Sequence, residues 1–282
     1  VKNYQYKGIQ KVEYTNNSPN ELYKVFYHLF FNAFQPDSEM DAHLQNIPDP
    51  DFRMVNNLGT KQNPKFESRI AKLKPNEIGF LNVISLKQNG IIVKYSTKGT
   101  ILEVHLNESI KPGETTTFDL VFEGQIPVLI RRAGRNNEDG VALSMAQWYP
   151  KIAEYDFEGW HADSYIAREF YGVWGNFDVT LHIDKNYTVG GTGYLQNPQE
   201  IGHGYEDKSK KVVIKKDKKL SWHFIAPMVH DFSFAADSNF AHDIVKTEQG
   251  TELHFLYKNI ENLSYYRATY YTLSNVLHKL LK

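Results

Sequence analysis

From residue 176 to 184 apolar and polar side chains alternate without a break. Phe177, Val179, Leu181 and Ile183 fall on one side, and Asp178, Thr180, His182 and Asp184 on the other. A period of two fits a pleated strand with one face in a core and one in water; a 3.6-residue helix would scatter both sets around its circumference. The pattern recurs. Residues 101–107 align Leu102, Val104 and Leu106, residues 116–123 align Phe118, Leu120 and Phe122, and Lys111-Pro112-Gly113 forms a turn between them. This arrangement predicts a hairpin. Further strands are predicted over 2–14, 90–95, 211–215, 220–226 and 251–257. Aromatic residues make up 14% of the chain, chiefly Tyr and Phe, and they suit half-buried pleated surfaces. Many short strands punctuated by turns predict a mainly β chain built as a β-sandwich.

Three stretches break the pattern. Residues 22–34 fit a helix through Leu22, Val25, Phe26, Leu29, Phe30 and Ala33, and a strand through Tyr23, Val25, Tyr27, Leu29 and Phe31; aromatic richness favours the strand. Residues 37–75 are polar, carry Pro48, Pro50 and Pro64, and predict an irregular excursion with a short helix around 66–73. From Glu261 onward Leu263, Tyr266, Tyr270, Leu273, Leu277 and Leu280 recur at three- and four-residue spacing, an apolar helical stripe that Asn259 or Asn262 would cap. A domain boundary is expected near Ala241.

Charge and composition exclude several partners. Lys plus Arg is 32 against 33 for Asp plus Glu, so no bulk field favours nucleic acid or an anionic membrane. No apolar run approaches the roughly 20 residues a membrane span needs. The lysines at 208, 210, 211, 215, 216, 218 and 219 read as a solvated strand edge, and Gly190-Gly191-Thr192-Gly193 as a strand turn, since no Lys-Ser/Thr ending or helical pattern follows it. Absence of cysteine rules out disulfides and thiolate metal sites and leaves the compartment open. The chain opens on Val1 without an initiator Met or a leader pattern, so a native start is expected to have been removed.

A hydrolytic zinc site needs two His one helical turn apart, a carboxylate ligand and a Glu to take a proton from the bound water. None of the 11 histidines has that spacing. His161 with Asp163, His223 with His230, and His242 with Asp243 read as surface or turn residues, so neither a catalytic residue nor a metal ligand is expected in this chain. Glu154, Asp156, Glu158, Asp163, Arg168 and Glu169 form a dense polar block around Trp160, His161 and Trp174.

The block at 147–184, QWYPKIAEYDFEGWHADSYIAREFYGVWGNFDVTLHID, is followed by YTVGGTGYL at 187–195 and WHFIAPMVHDFSFAAD at 222–237. Together they resemble the N-terminal β-domain of the aminopeptidase N and leukotriene hydrolase family of zinc metallopeptidases, the gluzincins. The resemblance implies an N-terminal saddle-like β-sandwich domain over 1–241, then over 242–282 the first strand and helix of an α+β thermolysin-like catalytic domain. The family's Gly-x-Met-Glu-Asn loop and His-Glu-x-x-His are absent from the sequence, so the fragment alone is expected to be inactive and free of cofactor, with zinc held in the parent enzyme. Implied partners are its own catalytic domain and peptide substrates. In the family a Gln-x-Glu or Gln-x-Gln segment reaches into the active site, its second residue holding the substrate's α-amine. Gln147 matches the first position and Tyr149 stands at the second, which makes these two the expected substrate-binding residues. As loop residues at a domain face, both are expected to tolerate substitution without loss of the fold. A phenol is uncharged at about pH 7, and a loop that merely packs against the partner domain would use the same residues. The alternative from another class is a stand-alone β-sandwich module that grips glycans or peptides through Trp148, Trp160 and Trp174.

Overall fold

The structure, a computed structural model, describes residues 4–47, 50–166, 171–213, 217–247 and 250–258. It is mainly β, as the alternation predicts. The chain forms two compact units. The first comprises Val1–Asp139, Ser144–Gly175 and Val229–Ser233; the second comprises Gly140–Leu143, Asn176–Met228 and Phe234–Lys282.

In the first unit β1 (Gln5–Thr15) is followed by β2 (Leu22–His28), a 3-10 turn at Phe30–Ala33, α1 (Glu39–Asn46), β3 (Val55–Asn57), β4 (Phe66–Ser68) and β5 (Phe80–Gln88). Then come β6 (Ile91–Ile92), β7 (Lys94–Lys98), β8 (Ile101–Ile110) and β9 (Thr115–Gln125), and after them the short strands β10 (Gly134–Arg135), β11 (Leu143–Met145), β12 (Lys151–Ile152), β13 (Tyr155–Asp156) and β14 (Gly159–Trp160). Two sheets result, ordered β1-β9-β5-β6 and β12-β2-β8-β7. Strand β1 runs antiparallel to β9 from Gln5↔Gln125 to Thr15↔Thr115. The sheets pack face to face: the Tyr27 and Phe118 rings meet edge-on at 6.2 Å, and the Tyr95 hydroxyl donates to the Val83 carbonyl at 3.2 Å. Gly8 lies opposite Phe122, and a Cβ there would sit 2.2 Å from the Phe122 ring, so only glycine lets the ring cover the strand.

The hairpin expected from residues 101–123 does not form. Strand β8 pairs with β2 and β7, whereas β9 pairs with β1 and β5, so the turn at 111–114 carries the chain from one sheet to the other. Gly113 at φ +80 and a Glu114 N–H bond to the Lys111 carbonyl close it. Leu102 and Val104 therefore face Phe118, Leu120 and Phe122 across the core, all buried. Period-two alternation identifies the buried face of each strand but cannot distinguish a paired neighbour from a strand facing it.

Strand β2 ends at His28 and yields to the 3-10 turn, so the strand predicted over 22–34 holds for its first half. Within 37–75 the helix is α1, and the segment predicted helical at 66–73 is β4, paired with β3, plus a 3-10 turn at Ile70–Lys72. Ser38 caps α1 by accepting the Asp41 N–H at 3.1 Å. Met40 and Leu44, one turn apart, bury into a cluster with Phe30, Phe34, Met54, Ile70, Ile130 and Tyr165, each such side chain contributing about 1.5–3 kcal/mol.

The second unit contains β15 (Gly175–Asp184), β16 (Thr188–Gly191), β17 (Tyr194–Leu195), α2 (Pro198–Ile201), β18 (Lys219–Val229), β19 (Phe234–Asp237), β20 (Phe240–Lys246) and β21 (Glu252–Lys258). One sheet is ordered β15-β18-β17; β16 pairs with β19, and β20 with β21. Leu181, Val189, Trp222, Phe224 and Ala236 are buried, and Trp222 and Phe224 stack at 6.4 Å. Of the strand predicted at 211–215, residues 211–213 are irregular and the rest lies outside the described residues. The apolar stripe beginning at Leu263 lies outside them too, as do Arg168 and Glu169. No helix among the described residues is long and apolar enough to cross a membrane.

Candidate functional site

The segment 147–151 lies within the first unit and is tied to residues 230–232. Gln147 has φ +59, a left-handed conformation that non-glycine residues seldom adopt. It is only 2% exposed, and its amide Nε2 has no hydrogen-bond partner among the described residues. The Trp148 carbonyl accepts from the Tyr6 hydroxyl, and its indole Nε1 donates to the Phe232 carbonyl at 3.1 Å. Tyr149, 6% exposed, donates its hydroxyl to Asp231 Oδ1 at 2.7 Å. Burial, reinforced by the Asp231 carboxylate, pushes the phenol well above its usual range, so it stays protonated. Lys151 is 2% exposed and donates to the His230 carbonyl. Burial lowers its ammonium below the ordinary value, with Asp231 and Glu154 pulling the other way.

Gln147 and Tyr149 are thus built into the first unit rather than carried on its face. Removing the Tyr149 hydroxyl should therefore cost stability, since a buried hydrogen bond to a charged group is worth about 1.5–3 kcal/mol. Asp231 and Lys151 escaped the sequence reading, and His230 is read there only as a surface or turn residue. Their signal is weak: a carboxylate about 80 residues downstream of Tyr149 has no spacing rule to mark it.

A second constellation sits on the β13–β14 hairpin. Tyr155 pairs with Trp160 and Asp156 with Gly159, leaving Phe157 and Glu158 at the tip and Gly159 at φ +98. Beyond the hairpin, the His161 N–H donates to the Glu154 carbonyl at 2.9 Å, and the His161 carbonyl accepts from His28 Nε2 at 3.0 Å. Burial pushes the His28 imidazole down to about 4, so it is neutral at about pH 7. Asp156 Oδ1 accepts the Glu158 N–H at 2.9 Å, while Oδ2 lies 2.8 Å from His161 Nε2. The ligand atoms of Asp156, Glu158 and His161 all fall within 4.8 Å of one another. Sequence spacing sets His161 beside Asp163; the hairpin instead brings Asp156 and Glu158 to His161, a grouping for which the Phe-Glu-Gly tip is the local signal. Nearby, burial and Asp156 raise the Glu154 carboxyl.

Elsewhere His223 Nε2 lies 2.8 Å from Asp178, and His242 Nε2 lies 2.9 Å from His254 Nδ1. Of the three tryptophans that a glycan- or peptide-gripping module would use, Trp148 is half-buried and Trp160 packs on Tyr155 and Phe26 at 5.1 and 5.8 Å. Trp174 alone of the three is exposed, at 62%.

No protein-family model and no curated protein matches the chain. Among solved structures it is similar to the M1 zinc metallopeptidase from Deinococcus radiodurans, with 12% identity and a TM-score of 0.46 over 87% of this chain and 41% of that one. A two-domain M1 zinc metallopeptidase variant bound to L-tryptophan gives 12% identity and 0.43 over 87% and 42%. A two-domain variant bound to L-arginine gives 14% and 0.38 over 62% and 38%. The chain therefore spans less than half the length of each of these structures.

Proposed function

We propose that this chain is the N-terminal, non-catalytic part of a zinc-dependent, aminopeptidase-like metallopeptidase, in which it walls the active-site cleft and positions peptide N-termini. Support comes from the motif blocks at 147–184, 187–195 and 222–237 and from the mainly β architecture that contains them. In this reading residues 1–241 are the β-domain and 242–282 open the catalytic domain, the chain's partner. The zinc, its ligands and the water-activating Glu belong to that domain.

The observation that carries the residue assignment is the state of Gln147 and Tyr149. A non-glycine residue in the left-handed region costs on the order of 1–3 kcal/mol, and such strain clusters at functional sites. Here it accompanies a buried amide whose Nε2 still has a hydrogen bond to give, suited to a carbonyl oxygen of the substrate's first residue. Tyr149 donates a hydrogen bond to Asp231 Oδ1 while the Phe232 N–H bonds to its oxygen, so the acceptor it would turn to a substrate is the second lone pair, polarised by the neighbouring carboxylate. The pair would offer a substrate ammonium an acceptor backed by negative charge, the role the family's motif gives to a carboxylate or amide at the second position.

The test is expression of the chain with its own downstream coding sequence and assay on aminoacyl reporter substrates. Gln147→Ala should lower kcat/KM by roughly two- to tenfold, the equivalent of about 0.5–1.5 kcal/mol for a neutral hydrogen bond. A downstream sequence without His-Glu-x-x-His, or unchanged kinetics in folded Gln147→Ala, would overturn the reading.

A further inference from the structure

We propose that the β13–β14 hairpin carries a divalent-cation site, with His161 Nε2, Asp156 Oδ2 and a Glu158 carboxylate oxygen as its protein ligands. This site is separate from any zinc of the parent enzyme, and the inference does not depend on the reading of Gln147 and Tyr149.

Four observations support it. The three ligand atoms already lie within 4.8 Å of one another. The 2.8 Å between His161 Nε2 and Asp156 Oδ2 is close to the roughly 3 Å edge of an octahedron whose bonds are about 2.1 Å. His161 Nε2 is shut off from solvent yet makes no hydrogen bond, despite that short separation. Finally, the donors are held in place. Both backbone bonds of His161 are taken, by Glu154 and His28, and the Tyr171 ring packs edge-on against its imidazole at 4.7 Å. The Glu158 N–H occupies Asp156 Oδ1, which leaves Oδ2 as the oxygen turned to the histidine.

Donor chemistry sets the class of ion. One imidazole and two carboxylates, with no thiolate, suit Zn2+ or Mn2+ and disfavour soft monovalent copper. The two carboxylates also bring negative charge that a dication would offset. The exposed hairpin tip leaves the remaining coordination positions to water.

The test uses the whole chain, stripped with a chelator and titrated with Mn2+ or Zn2+ by calorimetry, with Mn2+ also followed by paramagnetic resonance. The expected result is uptake of a single ion with a rise in Tm, weakened by at least about tenfold in His161→Ala and in Asp156→Asn. His254→Gln, which alters a histidine pair elsewhere, should bind as the parent does. Circular dichroism of each variant separates lost binding from lost fold, and Asp156→Asn keeps the side-chain volume. The proposal is overturned by no uptake at millimolar metal, or by equal uptake in folded His161→Ala and Asp156→Asn, which would place the ion on other residues.

Discussion

Replacing Tyr149 by Phe removes one oxygen and leaves the ring against Trp148, with which it makes an edge contact at 5.4 Å. The lost group is the donor that meets Asp231 Oδ1 at 2.7 Å in a residue only 6% exposed, so water cannot readily take its place. A buried hydrogen bond to an ionised acceptor is worth about 1.5–3 kcal/mol. For a chain of this size about 2–4 °C of Tm accompanies each kcal/mol, so Tyr149→Phe should melt about 3 to 12 °C lower. Asp231→Ala should fall in the same range. In a double-mutant cycle the combined variant should be less destabilised than the sum of the two, by a coupling of at least about 1 kcal/mol. Because there are two compact units, the cycle is best read by urea unfolding with tryptophan fluorescence and circular dichroism recorded together. Two single variants within about 0.5 kcal/mol of the parent, and an additive double, would refute the tether. The same geometry bears on Tyr149→Glu. That change supplies the carboxylate the family's motif often has, but sets it against Asp231, so it should destabilise the first unit unless the pair takes up a proton.

The second unit should lose stability on mild acidification. Burial lowers the pKa of both His242 and His254, and each ring already has its bond partners: His242 Nδ1 donates to the His203 carbonyl and His242 Nε2 accepts from His254 Nδ1. As the pH falls below about 6.5 the unfolded chain takes up protons that the folded pair resists, so stability present above that pH is lost going down. His254→Asn should show a shallower Tm slope between about pH 6.5 and 5, and an unchanged slope would remove the pair from the explanation. Met40→Ala, which empties a fully buried position on α1, should cost about 2–5 kcal/mol by urea titration; a loss below about 1 kcal/mol would mean that the small cluster it occupies collapses around the gap. Gly8→Ala places a Cβ 2.2 Å from the Phe122 ring and should destabilise by about 1–3 kcal/mol, whereas a neutral result would show that the ring can swing away.

Strands whose faces differ in polarity were legible in the sequence: 176–184 and 220–226 alternate, and β15 and β18 contain them. Connectivity was less so, because β8 and β9 show the same alternation whether they are neighbours or face each other. Helix α1 was hidden because only Met40 and Leu44 are buried apolar positions in its eight residues, too few to register a period; the Ser38-x-x-Asp41 cap was the readable sign. For the site, the resemblance pointed to Gln147 and Tyr149, but the bonds that hold Trp148, Tyr149 and Lys151 reach residues 230–232, which no local pattern links to them. His161 was visible as a histidine and invisible as a partner of Asp156, since that proximity exists only once the hairpin folds.

The first unit recruits residues 229–233 from beyond most of the second unit's strands, which sets an order of events during synthesis. Strands β1 to β9 have all been made by residue 125, so the two sheets can close early. Lys151 cannot then find its acceptor at His230, which follows 79 residues later. At about 5–20 residues per second the ribosome needs roughly 4 to 16 s to supply it. Until then the Lys151 ammonium and the Trp148 indole lack the carbonyls that later hold them, and β12 has reason to stay loosely docked on β2. A truncation ending at residue 175 would make that interval permanent. An excised first unit should therefore carry residues 229–233 on a grafted loop, to give the buried ammonium its carbonyl.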